Sequence, residues 1–364
     1  RFQQFTSPVM AKGVEDTAFY CFNRMISLNE VGGAPDTAGL TVEQFHQYCI
    51  RMHAQWPSTM TTLVTHDTKR GDDVRARLLA LTENPSEWRK TLRRWSRMHN
   101  AMHAPNAPDR NTEYFLYQTL IATWPISEDR LVAYMQKATR EAKEQTSWTQ
   151  NNEVFEKGLV DFIHSLLESR TFITELEKQV ALIDHAGQIN SLTQTLLHYT
   201  APGVPDTYQG SELWDFRLVD PDNRTPVDYT QRQSMLDELK QGLPPETIMQ
   251  RAASGLPKLW LIHTALRLRR EHPDWFGPEA AYTPLEVRGL RFAHAIAFQR
   301  GASVCAIAQR WSSRLKGSWA GTTVDLPEGQ WLNPLTSERT PGGRQRLQTL
   351  LQRFPVALLV RAQE

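Results

Sequence analysis

The spacing of apolar residues changes character along these 364 residues, and that change restricts the chain to a fold of several parts. Between residues 84 and 190 the period is helical throughout. Trp88, Leu92, Trp95 and Met98 share one helical face; Tyr114, Phe115, Leu116, Leu120, Ile121 and Trp124 mark a second helix, stopped by Pro125. Leu131, Val132, Met135 and Ala138 mark a third, and Val154, Phe155, Leu159, Phe162, Ile163, Leu166 and Leu167 a fourth. Phe172, Leu176, Val180 and Ile183 mark a fifth. From about residue 280 the period is two. Phe292–Phe298, Ser303–Ala308 and Val356–Val360 read as strands separated by Gly and Pro turns.

The flanks of the helical stretch read differently. Thr59–Thr65 is short and β-branched, as a buried parallel strand is. A polar loop follows, then a helix carrying Val74, Leu78, Leu79 and Leu81. Beyond residue 188, a helix over Ile189–Tyr199 precedes a Pro- and Gly-rich loop at 201–212. One more amphipathic helix covers Leu256–Arg270, and Pro273, Gly277 and Pro278 punctuate the chain after it.

This order predicts α/β parts, an all-α insert and an all-β part. It suits the C-terminal part of a (β/α)8 barrel with an inserted helical subdomain and a C-terminal antiparallel β-sandwich. The expected segments are 1–83, ending in the polar loop after the strand; 84–190, the helical insert; 191–278, the last barrel unit and helix; and 279–364, the β domain. Apolar residues at 40% and charged residues at 22% are ordinary for a soluble globular chain. A net charge of +1 gives no global field toward nucleic acid or an anionic membrane, and no apolar run approaches the roughly 20 residues of a span. Three cysteines, Cys21, Cys49 and Cys305, are neither paired in number nor in CxxC spacing, so a reduced, cytoplasmic compartment is expected. The first residues, Arg1-Phe2-Gln3-Gln4-Phe5, read as neither a signal peptide nor an initiator, so a longer parent chain is expected.

His66 and Asp67 stand where a barrel strand ends, the place where such folds carry their chemistry. Asp67 can accept from sugar hydroxyls or stabilise a positive anomeric carbon, and His66 can donate to a neighbouring hydroxyl. The same Asp-Thr pair is also a good helix N-cap. Lys69, Arg70, Asp72, Asp73, Arg75 and Arg77 can equally form a solvated helix face with local ion pairs. Lys12, Glu15 and Asp16 read as a Gly-containing turn before a helix over Thr17–Met25, where acidic residues also suit the helix dipole. Tyr208, Gln209 and Glu212 lie in the 201–212 loop, after an expected further barrel strand; a Tyr there can stack on a pyranose or pack the loop. Trp56 and Trp214 are alternative stacking platforms or core residues. His46, His53, His99 and His103 offer only the i, i+4 pair His99/His103 without a third ligand, so no metal and no cofactor is expected.

Thr65-His66-Asp67-Thr68-Lys69-Arg70 resembles the last conserved box of the α-amylase clan, glycoside hydrolase family 13, whose His-Asp pair ends the seventh barrel strand. Pro202–Glu212 resembles the clan's eighth-strand loop. Three longer stretches sharpen the resemblance to a subgroup that turns the reducing-end linkage of maltooligosaccharides into a trehalose unit. They are Arg1–Gln4 with Pro8–Tyr20, Ser27–Gly33, and Leu218–Arg224.

The resemblance implies a retaining mechanism on an α-1,4-glucan. A carboxylate nucleophile and a carboxylic acid about 5–5.5 Å apart make and break a glycosyl-enzyme. The freed glucose then turns in its subsite and attacks through its own anomeric hydroxyl, which requires that water be kept out. Asp67 is implied as the transition-state-stabilising carboxylate, with His66 beside it. Lys69, Arg70, Lys12, Glu15, Asp16, Tyr208, Gln209 and Glu212 are implied as substrate contacts. Asp220, Asp222 and Arg224 suggest a bracing ion-pair cluster.

The clan's nucleophile and acid/base boxes precede the seventh strand, and neither occurs here, so this chain alone is expected to be inactive. Two alternatives stay open: a non-catalytic α-glucan-binding module, and a fragment of a related maltooligosaccharide hydrolase. The expected partner is a maltooligosaccharide. A dimer through a broken barrel edge is also conceivable, against which a monomeric mass in light scattering would count.

Overall fold

The structure, a computed structural model, describes residues 1–37, 39–100 and 107–362. The chain forms two compact units that interleave in sequence. One comprises Arg1–Ala38, His66–Gly187 and Phe216–Thr225; the other comprises Gly39–Thr65, Gln188–Asp215 and Pro226–Glu364. The boundary at 187/188 falls near the expected end of the helical segment, and the others fall inside the expected segments.

The first unit is helical. Its helices are Asp72–Ala80, Pro85–Met98, Arg110–Thr123, Glu128–Ala142, Glu153–Glu168 and the first part of Arg170–Thr200. Their starts follow local chemistry: Asn84, Asp109 and Asn152 accept from backbone N–H groups of the first turn, and Pro85 opens its helix. Lys143 ends Glu128–Ala142 in the left-handed conformation. The core is aromatic at its centre. Trp95 is fully buried and meets Trp88, Tyr117 and Phe172 edge-on.

Two helical expectations need correction. The fifth helix and the helix over Ile189–Tyr199 are one 31-residue helix, Arg170–Thr200. Asp184 and Gly187 look like a helix end in sequence, yet both serve contacts. Asp184 pairs with Arg77 at 2.6 Å, and a Cβ on Gly187 would lie 2.9 Å from the Arg77 Cα. At the start of the chain, Phe2–Pro8 is α-helical and Val9–Ala18 winds as a wider π-helix into Phe19–Cys21. Lys12, Glu15 and Asp16 therefore lie inside a helix, not on a turn before one.

The second unit opens with helix Val42–Gln55, which the sequence reading missed although Thr41 and Gln44 form a capping box at its start. Strand β1, Met60–Thr62, pairs in parallel with β2, Val204–Asp206. β1 is shorter than the Thr59–Thr65 strand that the sequence suggested, and β2 lies within the stretch read as a loop. Gly203 precedes β2 at φ +121, and a Cβ there would meet the Thr61 Cγ2 at 2.9 Å, so the close crossing needs glycine. Two arginines satisfy the end of the long helix. Arg300 donates to the Thr200 carbonyl at 3.2 Å, and Arg269 donates to those of Tyr199 and Gly203 at 2.9 and 3.0 Å.

Helices Tyr229–Lys240, Pro245–Gln250 and Leu256–Glu271 lead to a seven-stranded sheet. Its strands are β3 Tyr282–Pro284, β4 Val287–Arg288, β5 Ala295–Arg300, β6 Val304–Gln309, β7 Thr323–Asn333, β8 Glu338–Arg346 and β9 Val356–Arg361. The order is β3-β5-β6-β9-β7-β4, with β8 on β7, and every pairing is antiparallel. The C-terminal part is thus antiparallel as expected, but it is one sheet rather than a sandwich of two. Both faces of its centre are buried without a second sheet. Ile296, Phe298, Ala306 and Leu358 pack with Leu259 and Ile262 of helix Leu256–Glu271. Ala297, Ile307 and Leu359, pointing the other way, pack with Trp319, Trp331 and Leu347.

All three cysteines are free thiols. Among the described residues, no helix is long and apolar enough to cross a membrane.

Candidate active site

The loop His66–Arg70 lies in the first unit and leads into helix Asp72–Ala80. The cap position of that helix is Gly71, so Asp67 does not serve as its N-cap. The side chains of His66 and Asp67 are 57% and 73% exposed, with Nε2 and Oδ1 3.6 Å apart.

The backbone of this loop is held from several directions. Asn223 Nδ2 donates to the His66 carbonyl at 2.7 Å. Val219 N donates to the Lys69 carbonyl at 3.1 Å, and Gly71 N to that of Arg217 at 2.9 Å, around an antiparallel bridge between Arg70 and Leu218. Glu30 accepts from the Lys69 and Arg70 amides at 2.6 and 3.2 Å. An exposed acidic group thus sits on a loop whose backbone is held at His66, Lys69, Arg70 and Gly71.

The charged residues after Asp67 are not a solvated face. Lys69, Arg70, Asp72, Asp73 and Arg77 are all nearly inaccessible. Lys69 reaches Asp16 Oδ1 at 2.5 Å, and Lys12 reaches the other Asp16 oxygen at 2.5 Å. Burial alone pushes the Asp16 carboxyl up, but the two ammonium groups outweigh it and hold it below its ordinary value. The Lys12 ammonium is raised, chiefly by its hydrogen bond and charge contact with Asp16, with a smaller share from Asp67. Glu15 Oε1 accepts from Gly32 N at 2.9 Å. Lys137, which the sequence reading missed, donates to the Asp220 carbonyl, and burial lowers its pKa. Its signal in sequence is weak, since it sits between the core positions Met135 and Ala138.

Arg70 is a framework cation. It donates to the Asn29 carbonyl at 3.1 Å and to the Tyr134 hydroxyl at 3.3 Å, inside the helical core. The expected substrate contact by Arg70 would require it to leave that socket. Asp220, Asp222 and Arg224 brace the loop as expected, with one change of partner. Arg224 pairs with Asp220, whereas Asp222 takes Arg130 at 2.7 and 2.8 Å and the Leu218 amide at 2.7 Å.

Tyr208, Gln209 and Glu212 belong to the second unit, after β2. Tyr208 is half-buried and Gln209 exposed. Glu212 pairs with Arg232 at 2.9 Å, and Arg232 also donates to the Gly210 carbonyl at 2.7 Å, which ties this loop to helix Tyr229–Lys240. Trp214 donates to the Ala252 carbonyl at 2.6 Å and packs in the core, whereas Trp56 is 65% exposed.

His99 is buried with Nδ1 2.6 Å from the Tyr117 hydroxyl, and His46 is 2.8 Å from that of Tyr282. His103 lies outside the described residues. Among the described residues, no three His, Cys, Asp or Glu side chains gather as metal ligands do.

No family profile matches the chain. Over 369 aligned residues it is 40% identical to a Mycobacterium tuberculosis protein named as a maltooligosyl trehalose synthase, covering 99% of this chain and 45% of that one. The structure of maltooligosyltrehalose synthase from Arthrobacter ramosus matches with a TM-score of 0.90 at 39% identity, over 99% of this chain and 46% of the other. A Sulfolobus tokodaii protein described as a hypothetical maltooligosyl trehalose synthase matches with a TM-score of 0.79 at 29% identity, over 99% and 46%. The chain spans less than half the length of these relatives. Segments around Asp16, Asn29–Glu30 and Leu218–Asn223 meet the His66–Arg70 loop, and over 99% of its residues the chain is similar to maltooligosyltrehalose synthases, matching less than half of their length.

Proposed function

We propose that this chain is part of an enzyme that converts the terminal α-1,4 linkage of maltooligosaccharides into an α,α-1,1 linkage by retaining, intramolecular transglycosylation. The observation that carries this reading is the exposed His66–Asp67 pair on a braced loop, in a chain 40% identical to a synthase over 99% of its residues. In this reading β1 and β2 are two strands of a (β/α)8 barrel, and the helical stretch is an insert in it. Asp67 stabilises the positive charge that develops at the anomeric carbon, and His66 donates to an adjacent hydroxyl. Lys12 and the Lys69–Asp16 pair set the local field beside Asp67. The family's nucleophile and general acid have no counterpart in these residues, so the chain alone performs no turnover. The three free thiols, two of them buried, support a reduced, cytoplasmic setting.

The test is a titration of the 364-residue chain with maltopentaose, read by amide shifts of His66–Arg70, beside an Asp67→Asn variant. The expected result is localised shifts in the parent and at least about tenfold weaker binding in the variant, the loss of one charge-assisted hydrogen bond. Equal affinity in both chains refutes the assignment of Asp67. Conversion of maltopentaose to a non-reducing product by this chain refutes its inactivity.

A further inference from the structure

Asn29 and Glu30 follow a short 3-10 turn, Ile26–Leu28, and the chemistry above uses neither. Both are buried, at 0% and 7% exposure. A carboxylate at such a depth is costly unless its oxygens are well partnered. Those of Glu30 accept from backbone amides: Oε1 from Val31 at 2.9 Å and from Lys69 at 2.6 Å, and Oε2 from Arg70 at 3.2 Å. The backbone bridge to Leu218 takes up the Lys69 carbonyl and the Gly71 amide, and the consecutive amides of Lys69 and Arg70 both donate to the Glu30 carboxylate instead. Asn29 faces the other segment. Its Nδ2 donates to the carbonyls of Phe19 and Phe22 at 2.9 and 2.6 Å, at the end of the helical stretch that carries Lys12 and Asp16. Gly33 closes the turn, with its N–H on the Glu30 carbonyl at 2.7 Å. A Cβ there would lie 2.7 Å from the carbonyl oxygens of Glu30 and Leu28, so no larger residue fits.

We infer that Glu30 is a positioning residue, whose carboxylate holds the His66–Arg70 loop in the shape that presents His66 and Asp67, while Asn29 fastens the segment bearing Asp16. This rests on the reading that Asp67 faces sugar. A leucine of similar size would fill the space but leave two buried amides without a partner. The carboxylate is therefore there for the loop rather than for packing.

The test uses Glu30→Gln and Glu30→Ala in the 364-residue chain, with residue-resolved amide exchange and a maltopentaose titration. Gln keeps one acceptor oxygen and turns a donor toward the other amide. It is expected to lower exchange protection at one of Lys69 and Arg70 by at least about tenfold and to spare the other, while Ala lowers both. Amides around Trp95 keep parental protection in each. The same variants weaken maltopentaose binding. Unchanged protection at both amides in the Gln variant overturns the inference, as does lost protection with undiminished sugar affinity. If the Ala variant does not fold, the near-isosteric Gln variant carries the test. Absence of sugar shifts in the parent chain would instead sink the reading of Asp67, and the exchange result would still stand or fall by itself.

Discussion

Replacing Asp16 by Asn isolates the charge that compensates a buried lysine. The ammonium of Lys69 is 4% exposed, and Asp16 lies 2.5 Å from it at 24% exposure. Breaking a fully buried pair by removing one partner costs about 3–5 kcal/mol. Here the acid is partly hydrated and Asn retains one acceptor oxygen, so the expected loss is about 2 kcal/mol at neutral pH. The Lys12 arm adds little, because that side chain is 74% exposed. The pH dependence has a definite sign. The folded-state carboxyl is held below its ordinary value of 3.8, so its contribution is complete above that value and is lost as pH falls through the lower folded value. Urea unfolding followed by far-ultraviolet circular dichroism should therefore show a gap between parent and variant of about 2 kcal/mol at about pH 7 that shrinks as the pH falls through the acid range below 3.8. A gap under about 0.5 kcal/mol at neutral pH, the range of an ordinary surface change, would refute the reasoning. So would one that persists in acid.

Two more outcomes follow from the second unit. Gly203→Ala places a Cβ at φ +121 against Thr61 and should cost more than about 1 kcal/mol, measured by the same unfolding assay; a neutral result would mean the β1–β2 crossing can relax. Burial pushes the Cys49 and Cys305 thiols up to about 11 and about 12, so at mildly alkaline pH a disulfide reagent should label them only as the fold opens, and labelling at the rate of the unfolded chain would contradict their burial.

Much of the fold was legible because it depends on neighbours along the chain. The period of 3.6 located the helices around Trp95, Leu120, Met135 and Leu159, and the period of two located β5, β6 and β9. The helix Arg170–Thr200 was read as two, and a polar residue and a glycine such as Asp184 and Gly187 carry the same local signal whether a helix ends or another segment packs there. The reading of a sandwich failed for a related reason. Alternation shows that a strand has two faces, not what covers them.

The local pattern alone determined that helices occupy the middle, that antiparallel strands follow, and that His66 and Asp67 stand just beyond a short strand. The resemblance, which also rests on sequence, pointed to the proteins that this chain is similar to. Tertiary structure decided which charges face water. Lys69, Arg70 and Arg77 share one stretch of sequence with Asp67, yet they are buried because Asp16, Asn29 and Asp184 arrive from elsewhere in the chain to receive them. Burial of a charge depends on partners brought together by folding, and no period or spacing along a chain records where those partners will be.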